Sequence, residues 1–112
     1  MSALRNKVQL IGNLGADPEV ITFENGSKLA KFSMATNEVY RDSEGEKKTD
    51  TQWHQVVAWG RLAELAENYL VKGKEVAVEG KLMTRSYQTD AGEKRYFTEV
   101  RCEELLLLSQ KP

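Results

Sequence analysis

Only one stretch of this chain spaces its apolar residues for a helix. In RLAELAENYLVKG, residues 61–73, Leu62, Leu65, Ala66, Tyr69 and Leu70 recur at three- and four-residue steps. That spacing predicts one amphipathic helix, with Gly73 suited to the left-handed residue that would close it. The remaining sequence consists mainly of runs rich in β-branched and aromatic residues, separated by turn signals. Strands are expected near 4–14, 19–23, 28–39, 51–59, 75–87 and 94–106, the short 19–23 run reading as an appendage of the first. Glu24-Asn25-Gly26-Ser27 contains the Asn-Gly pair that favours a tight hairpin, and Asp90-Ala91-Gly92-Glu93 marks a second reversal. Arg41 to Asp50 (RDSEGEKKTD) reads as a longer charged loop.

In the fifth run Val76, Val78, Leu82 and Thr84 fall on one face, and Glu75, Glu79, Lys81 and Arg85 on the other. Gly12 and Gly80 interrupt strand interiors, where glycine marks a bulge or sharp bend. Five principal strands with a helix between the third and fourth predict an all-β fold: a five-stranded OB-fold Greek-key barrel. At 112 residues the chain suits one domain, placed over residues 1–108, with 109–112 a short C-terminal end.

Composition narrows the function. Hydrophobic residues at 40% and charged residues at 29% describe a soluble globular chain. No apolar run exceeds four residues, far short of the roughly 18 that suggest a membrane helix. The N-terminus MSALRNKVQL lacks the apolar core of a signal peptide, so a cytoplasmic protein is expected. Cys102 is the only cysteine and His54 the only histidine. That leaves no multi-cysteine metal site and no nucleophile–base pair, so neither metal, cofactor nor enzymatic activity is expected. Cys102 reads as a small hydrophobe in the last strand. The formal charge of −1 argues against binding polyanions by bulk charge, though it leaves room for a local basic groove.

The stretch TQWHQVVAWGR, residues 51–61, poses the sharpest question. On a strand, Trp53, Gln55, Val57 and Trp59 share one face and His54, Val56 and Ala58 the other. The second face reads as core, with His54 a hydrogen-bonded interior or interface residue. Two tryptophans on the first are either core themselves or a platform for something flat. Phe23, Phe32 and Tyr69 sit in contexts that suggest packing, whereas of the adjacent Tyr96 and Phe97 one should face in and one out. Tyr40, Trp53, Trp59 and Tyr87 each lie within two positions of an arginine or share a face with a residue that does. Rings beside cations suit single-stranded nucleic acid: bases stack on the rings, and the cations meet phosphates. A single strand tryptophan is more often core or interface; four such aromatics on one sheet favour the platform.

Five collinear motifs then carry a resemblance. They are Asn6-Lys7-Val8-x-Leu10-x-Gly12-Asn13-Leu14-Gly15-x-Asp17-Pro18-Glu19, Trp53-His54-x-Val56-Val57, Tyr69-Leu70-x-Lys72-Gly73, Glu79-Gly80-x-Leu82-x-Thr84-Arg85 and Arg95-Tyr96-x-Thr98-Glu99-Val100. From about Asn6 to Val100 the chain closely resembles the homotetrameric bacterial single-stranded DNA-binding protein (SSB) family. The resemblance implies an OB-fold, a homotetramer, and DNA wrapped over exposed aromatics at Tyr40, Trp53, Trp59 and Tyr87. Lys7, Arg41, Arg61, Lys72 and Arg85 match family basic positions and are the implied phosphate contacts, and His54 matches a subunit-interface position. The family often has Trp where this chain has Tyr40 and Tyr87, and Phe where it has Trp59; all remain rings. Gln55 and Ser86 replace cations found in a well-known version. The family usually continues into a Gly-rich, acidic recruitment tail; with the sequence ending at Ser109-Gln110-Lys111-Pro112, recruitment of partners through such a tail is not expected.

The expected function is therefore sequence-independent binding and protection of single-stranded DNA in replication, recombination and repair, in the cytoplasm with the nucleoid. The alternative is a primosome-type accessory OB protein, acting mainly through protein–protein contacts.

Overall fold

The computed structural model describes residues 4–108, so the expected C-terminal end at 109–112 lies outside the described residues. The elements are β1 (Val8–Leu14), β2 (Glu19–Thr22), β3 (Lys28–Arg41), β4 (Lys47–Trp59), α1 (Arg61–Tyr69), β5 (Glu75–Gln88) and β6 (Lys94–Leu107). β1 pairs with β5, β5 with β6 and β3 with β4, all antiparallel, while β4 meets β6 in parallel at Val56–Val100 and Val57–Arg101. Asn13–Ala35 and Leu14–Met34 join β1 back to β3 and close a five-stranded barrel, the expected OB-fold. β2 takes over from β1 along the same edge of β3, pairing Glu19–Thr22 with Lys28–Lys31.

Closure needs strands to bend where they cross. A Cβ on Gly12 would overlap the Ala35 carbonyl, and one on Gly80 the Arg101 carbonyl. At Gly80 the β5–β6 register also shifts, so the glycine marks a bulge as its position in the strand suggests. Inward-facing Phe32, Met34, Val56, Ala58, Val76, Val78 and Val100 form the core. Helix α1 packs against β3, β4 and β6, and its buried Ala63 and Ala66 are small enough to admit close approach.

The helix differs from expectation at two places. Tyr69 is 58% exposed rather than on the packed face, because Ala63, Ala66 and Leu70 make the buried stripe. The helix also ends before Gly73: Leu70 is already extended, and its amide bonds the Ala66 carbonyl. Gly73 instead turns the chain toward β5 and donates to the Leu14 carbonyl at 2.9 Å. That turn is tied down by the Asn13 side chain, which donates to the Gly73 carbonyl, and by Asp17, which accepts from the Lys72 amide at 2.8 Å. Two residues of the first motif thus have a structural task.

The charged segment 41–50 is not a long loop. β3 runs to Arg41 and β4 starts at Lys47, leaving Ser43-Glu44-Gly45 as the tip. Asp42 donates its amide to the Glu46 carbonyl, and Gly45 donates to the Asp42 carbonyl. The same three-residue turn with a left-handed glycine joins β2 to β3 at Gly26 and β5 to β6 at Gly92. β3–β4 and β5–β6 therefore extend as exposed two-stranded arms past the barrel, over 37–51 and 81–98. Leu82 and Thr84, which alternation puts on the face of buried Val76 and Val78, are exposed because β5 leaves the barrel after Gly80. Tyr96 and Phe97 are both exposed for the same reason: on an arm, neither face is inside.

Candidate nucleic-acid interface

β4 settles the question raised by its tryptophans. Val56 and Ala58 are buried and His54 is half-buried, as core-face residues should be. On the other face Trp53 is 59% and Trp59 44% exposed, so neither indole is sealed in the interior. Val57 lies between them and is buried, which makes it part of the floor. A large apolar ring left in water at a strand centre is the informative observation, since burial is its usual fate.

Each indole is propped by a neighbour. Phe23, expected to be a packing residue, sits at the end of the β2 hairpin with its ring 5.9 Å from Trp59 and tilted by only 16°. The pair presents a stacked, half-exposed apolar surface. Trp53 lies against Gly15, where a Cβ would fall 2.5 Å from its Cζ3.

Tyr87 and Arg85 lie on the β5–β6 arm. Arg85 packs its guanidinium 5.0 Å from the Phe97 ring centre and pairs with Glu99 at 3.3 Å, while Tyr87 meets Phe97 edge-on at 6.1 Å. Tyr40 is half exposed on the β3–β4 arm, paired in register with Lys48. Strand alternation sends it to the opposite pleat from Trp53, so the four predicted rings share a sheet but not one face.

The predicted cations are placed unevenly. Arg61 opens α1 and lines the depression beside Trp59 together with Leu65 and Tyr69. Arg41 donates to the Gly45 carbonyl at 2.8 Å and so braces its own hairpin. Lys72 belongs to the turn held by Asp17. Lys7 lies on the β1 side of β5 and pairs with Glu79 at 2.9 Å, an interaction that raises the lysine and holds the Glu79 carboxyl down at about 2. His54 Nε2 is 3.0 Å from Thr36 Oγ1, which occupies one ring nitrogen. Burial pushes the Cys102 thiol up to about 11, giving it the character of a small hydrophobe rather than a nucleophile. Asp42, Glu44 and Glu46 gather at the β3–β4 tip, where Asp42 Oδ1 already accepts from the Glu44 and Glu46 amides.

Sequence reasoning missed Phe23, Phe97, Lys31 and Arg101. Their signal is register: they approach the predicted site only across strands, and local spacing carries no such information.

With this geometry in view, the model of the Single-strand binding protein family matches residues 5–108. The chain belongs to that family. It is 44% identical over 107 residues to single-stranded DNA-binding protein 1 of Chlorobaculum tepidum, a match covering 95% of this chain. The chain spans only 66% of that relative's length. Among solved structures of the family, the Plasmodium falciparum SSB complex with ssDNA superposes with a TM-score of 0.85 at 35% identity, covering 97% of this chain and 99% of that one. A deletion mutant of the Thermus aquaticus single-stranded DNA-binding protein gives 0.80 at 33% identity, covering 93% of this chain and 50% of that one. Family membership and the OB-fold agree with the resemblance read from the sequence.

Proposed function

We propose that this protein binds single-stranded DNA without sequence preference. Trp53, Trp59, Tyr40 and Tyr87 stack bases, and Lys7, Arg41, Arg61, Lys72 and Arg85 meet phosphates. The observation that carries the reading is the pair of exposed indoles on one face of β4. Stacking needs no net charge, which reconciles nucleic-acid binding with a formal charge of −1. Lys7 and Arg85 already have carboxylate partners, so they engage phosphate by exchanging or sharing them. Residues 1–108 act as the binding domain, and the work is done in the cytoplasm with the nucleoid during replication, recombination and repair. Among the described residues no helix is long and apolar enough to cross a membrane.

The same proposal includes assembly as a homotetramer with His54 at a subunit interface. Ile11, Ala77 and Leu106 align across β1, β5 and β6, and Ile11 and Leu106 are 61% and 62% exposed. An apolar strip of this kind supports subunit contact rather than a solvent-facing wall. Four linked domains then raise avidity on one strand.

The test is fluorescence anisotropy with a labelled oligo-dT. Trp53→Ala or Trp59→Ala should each weaken binding by about 1–3 kcal/mol per lost stack. Wild-type affinity in the double variant would refute the site.

A further inference from the structure

We infer that Lys31 and Arg101 form a phosphate clamp over Val57, midway along the tryptophan face; the inference rests on the proposed binding of single-stranded DNA. The registers place it there. Lys31 on β3 is opposite Val57, and Val57 on β4 is opposite Arg101 on β6. Each neighbouring strand lies about 4.8 Å away, so a cation stands on either flank of one buried apolar residue, about 10 Å apart at the backbone. Together with Leu29, Trp59, Met83 and the paired Arg85 and Glu99 they line a depression of about 200 Å³.

Both cations are available. Arg85 and Lys81 also border this region, but Arg85 pairs with Glu99 and Lys81 with Glu103 at 3.8 Å. Among the described residues neither Lys31 nor Arg101 has a carboxylate within ion-pair distance; Glu19, opposite Lys31 on β2, forms no ion pair with it. Val57 supplies no competing acceptor, and the carboxylate that lines the depression, Glu99, is buried and already paired with Arg85, which leaves Lys31 and Arg101 as the cations free to meet an anion there.

The route of the strand requires the crossing. Trp53 and Trp59 are six residues apart on one strand, about 20 Å at the extended rise. Bases stacked on both rings leave a sugar–phosphate segment between them that runs along β4 and passes Val57. The clamp fixes that segment, and so sets how the bases on the two indoles are spaced. It is a chemistry for phosphodiester and carries no base preference.

The experiment measures oligo-dT affinity by anisotropy across a salt series, using the whole chain, and compares the slopes of log K against log salt. Lys31→Gln with Arg101→Gln should make the slope shallower by about 0.7 to 1.4, for one or two lost phosphate contacts. Its tryptophan quenching at saturation should stay like that of the wild type. Lys31→Arg with Arg101→Lys keeps both charges and should keep the slope. Lys28→Gln with Lys74→Gln removes the same net charge away from the row and should also keep it. An unchanged slope in the clamp variant, or an equal change in the Lys28 and Lys74 control, overturns the clamp while leaving the binding reading intact. A wild-type protein that neither binds oligo-dT nor shows quenching overturns the binding reading itself, and the clamp with it.

Discussion

Trp53 owes its position to a residue without a side chain. Its six-membered ring rests on Gly15, in the turn after β1, at a spacing no Cβ could share. Gly15 belongs to the Asn13-Leu14-Gly15 motif, whose other members hold the turn after α1 or the core, so the motif joins barrel closure to ring placement. Gly15→Ala should therefore move the indole rather than unfold the barrel. The expected result is a shifted tryptophan emission and a loss of oligo-dT affinity of up to about 1–3 kcal/mol, the worth of one stack, with little change in melting temperature. A double-mutant cycle checks the route: in a Trp53→Ala background, Gly15→Ala should cost no further affinity. An undiminished cost there would mean that Gly15 acts on binding by another path.

The elements show how far local pattern carries and where it stops. The alternation in β4 correctly assigned Val56 and Ala58 to the core but left the tryptophan face open between core and platform, since that face holds buried Val57 as well as the two exposed indoles. The arms were misread for a physical reason. RDSEGEKKTD has the composition of a loop, and its strand character comes only from pairing of 37–41 with 47–51, which no single strand reveals. Tyr69 failed similarly, since its helical spacing is sound but small alanines had already brought the helix too close to the barrel for a ring to fit between. Glycines at the two kinds of position should respond differently. Gly45 has open space around it but a φ of 81°, so Gly45→Ala should cost about 1–2 kcal/mol and fray only the β3–β4 tip. Gly80→Ala drives a methyl into the Arg101 backbone and should cost about 3 kcal/mol, at the upper end of overpacking, lowering the global denaturation midpoint. Equal losses in chemical denaturation would contradict this division of the chain into barrel and arms.

Across the whole molecule, the charges sort by side of the barrel. The tryptophan side carries Lys31, Arg85 and Arg101 around the buried carboxylate of Glu99, whereas the β1–β5–β6 wall carries Lys7, Glu79 and Glu104 beside the apolar Ile11–Ala77–Leu106 strip. Lys7 and Gln9 both donate to Glu79, which is why that carboxyl stays ionised down to about 2. Glu104 faces the same carboxylate, and its own carboxyl is raised because a proton there can be shared with Glu79. The two acids therefore act in opposite directions. Glu79, depressed, contributes stability above the ordinary carboxylate range and loses it as pH falls toward about 2. Glu104, raised, contributes only while protonated, and that contribution disappears as pH rises through its folded-state titration. Lys7, also raised, keeps its contribution through neutrality and loses it only in strong alkali. At pH 7 the wall thus carries a like-charge contact that Glu104→Gln would remove while leaving the Lys7–Glu79 pair in place. The variant should melt higher than the wild type at pH 7, and the two curves should converge as pH falls through the folded-state titration of Glu104, which Glu79 beside it raises above the ordinary carboxylate range. Melting at fixed protein concentration over pH 4–8 measures this directly. A difference that does not vary with pH would show that Glu104 acts through packing of its side chain and not through its charge.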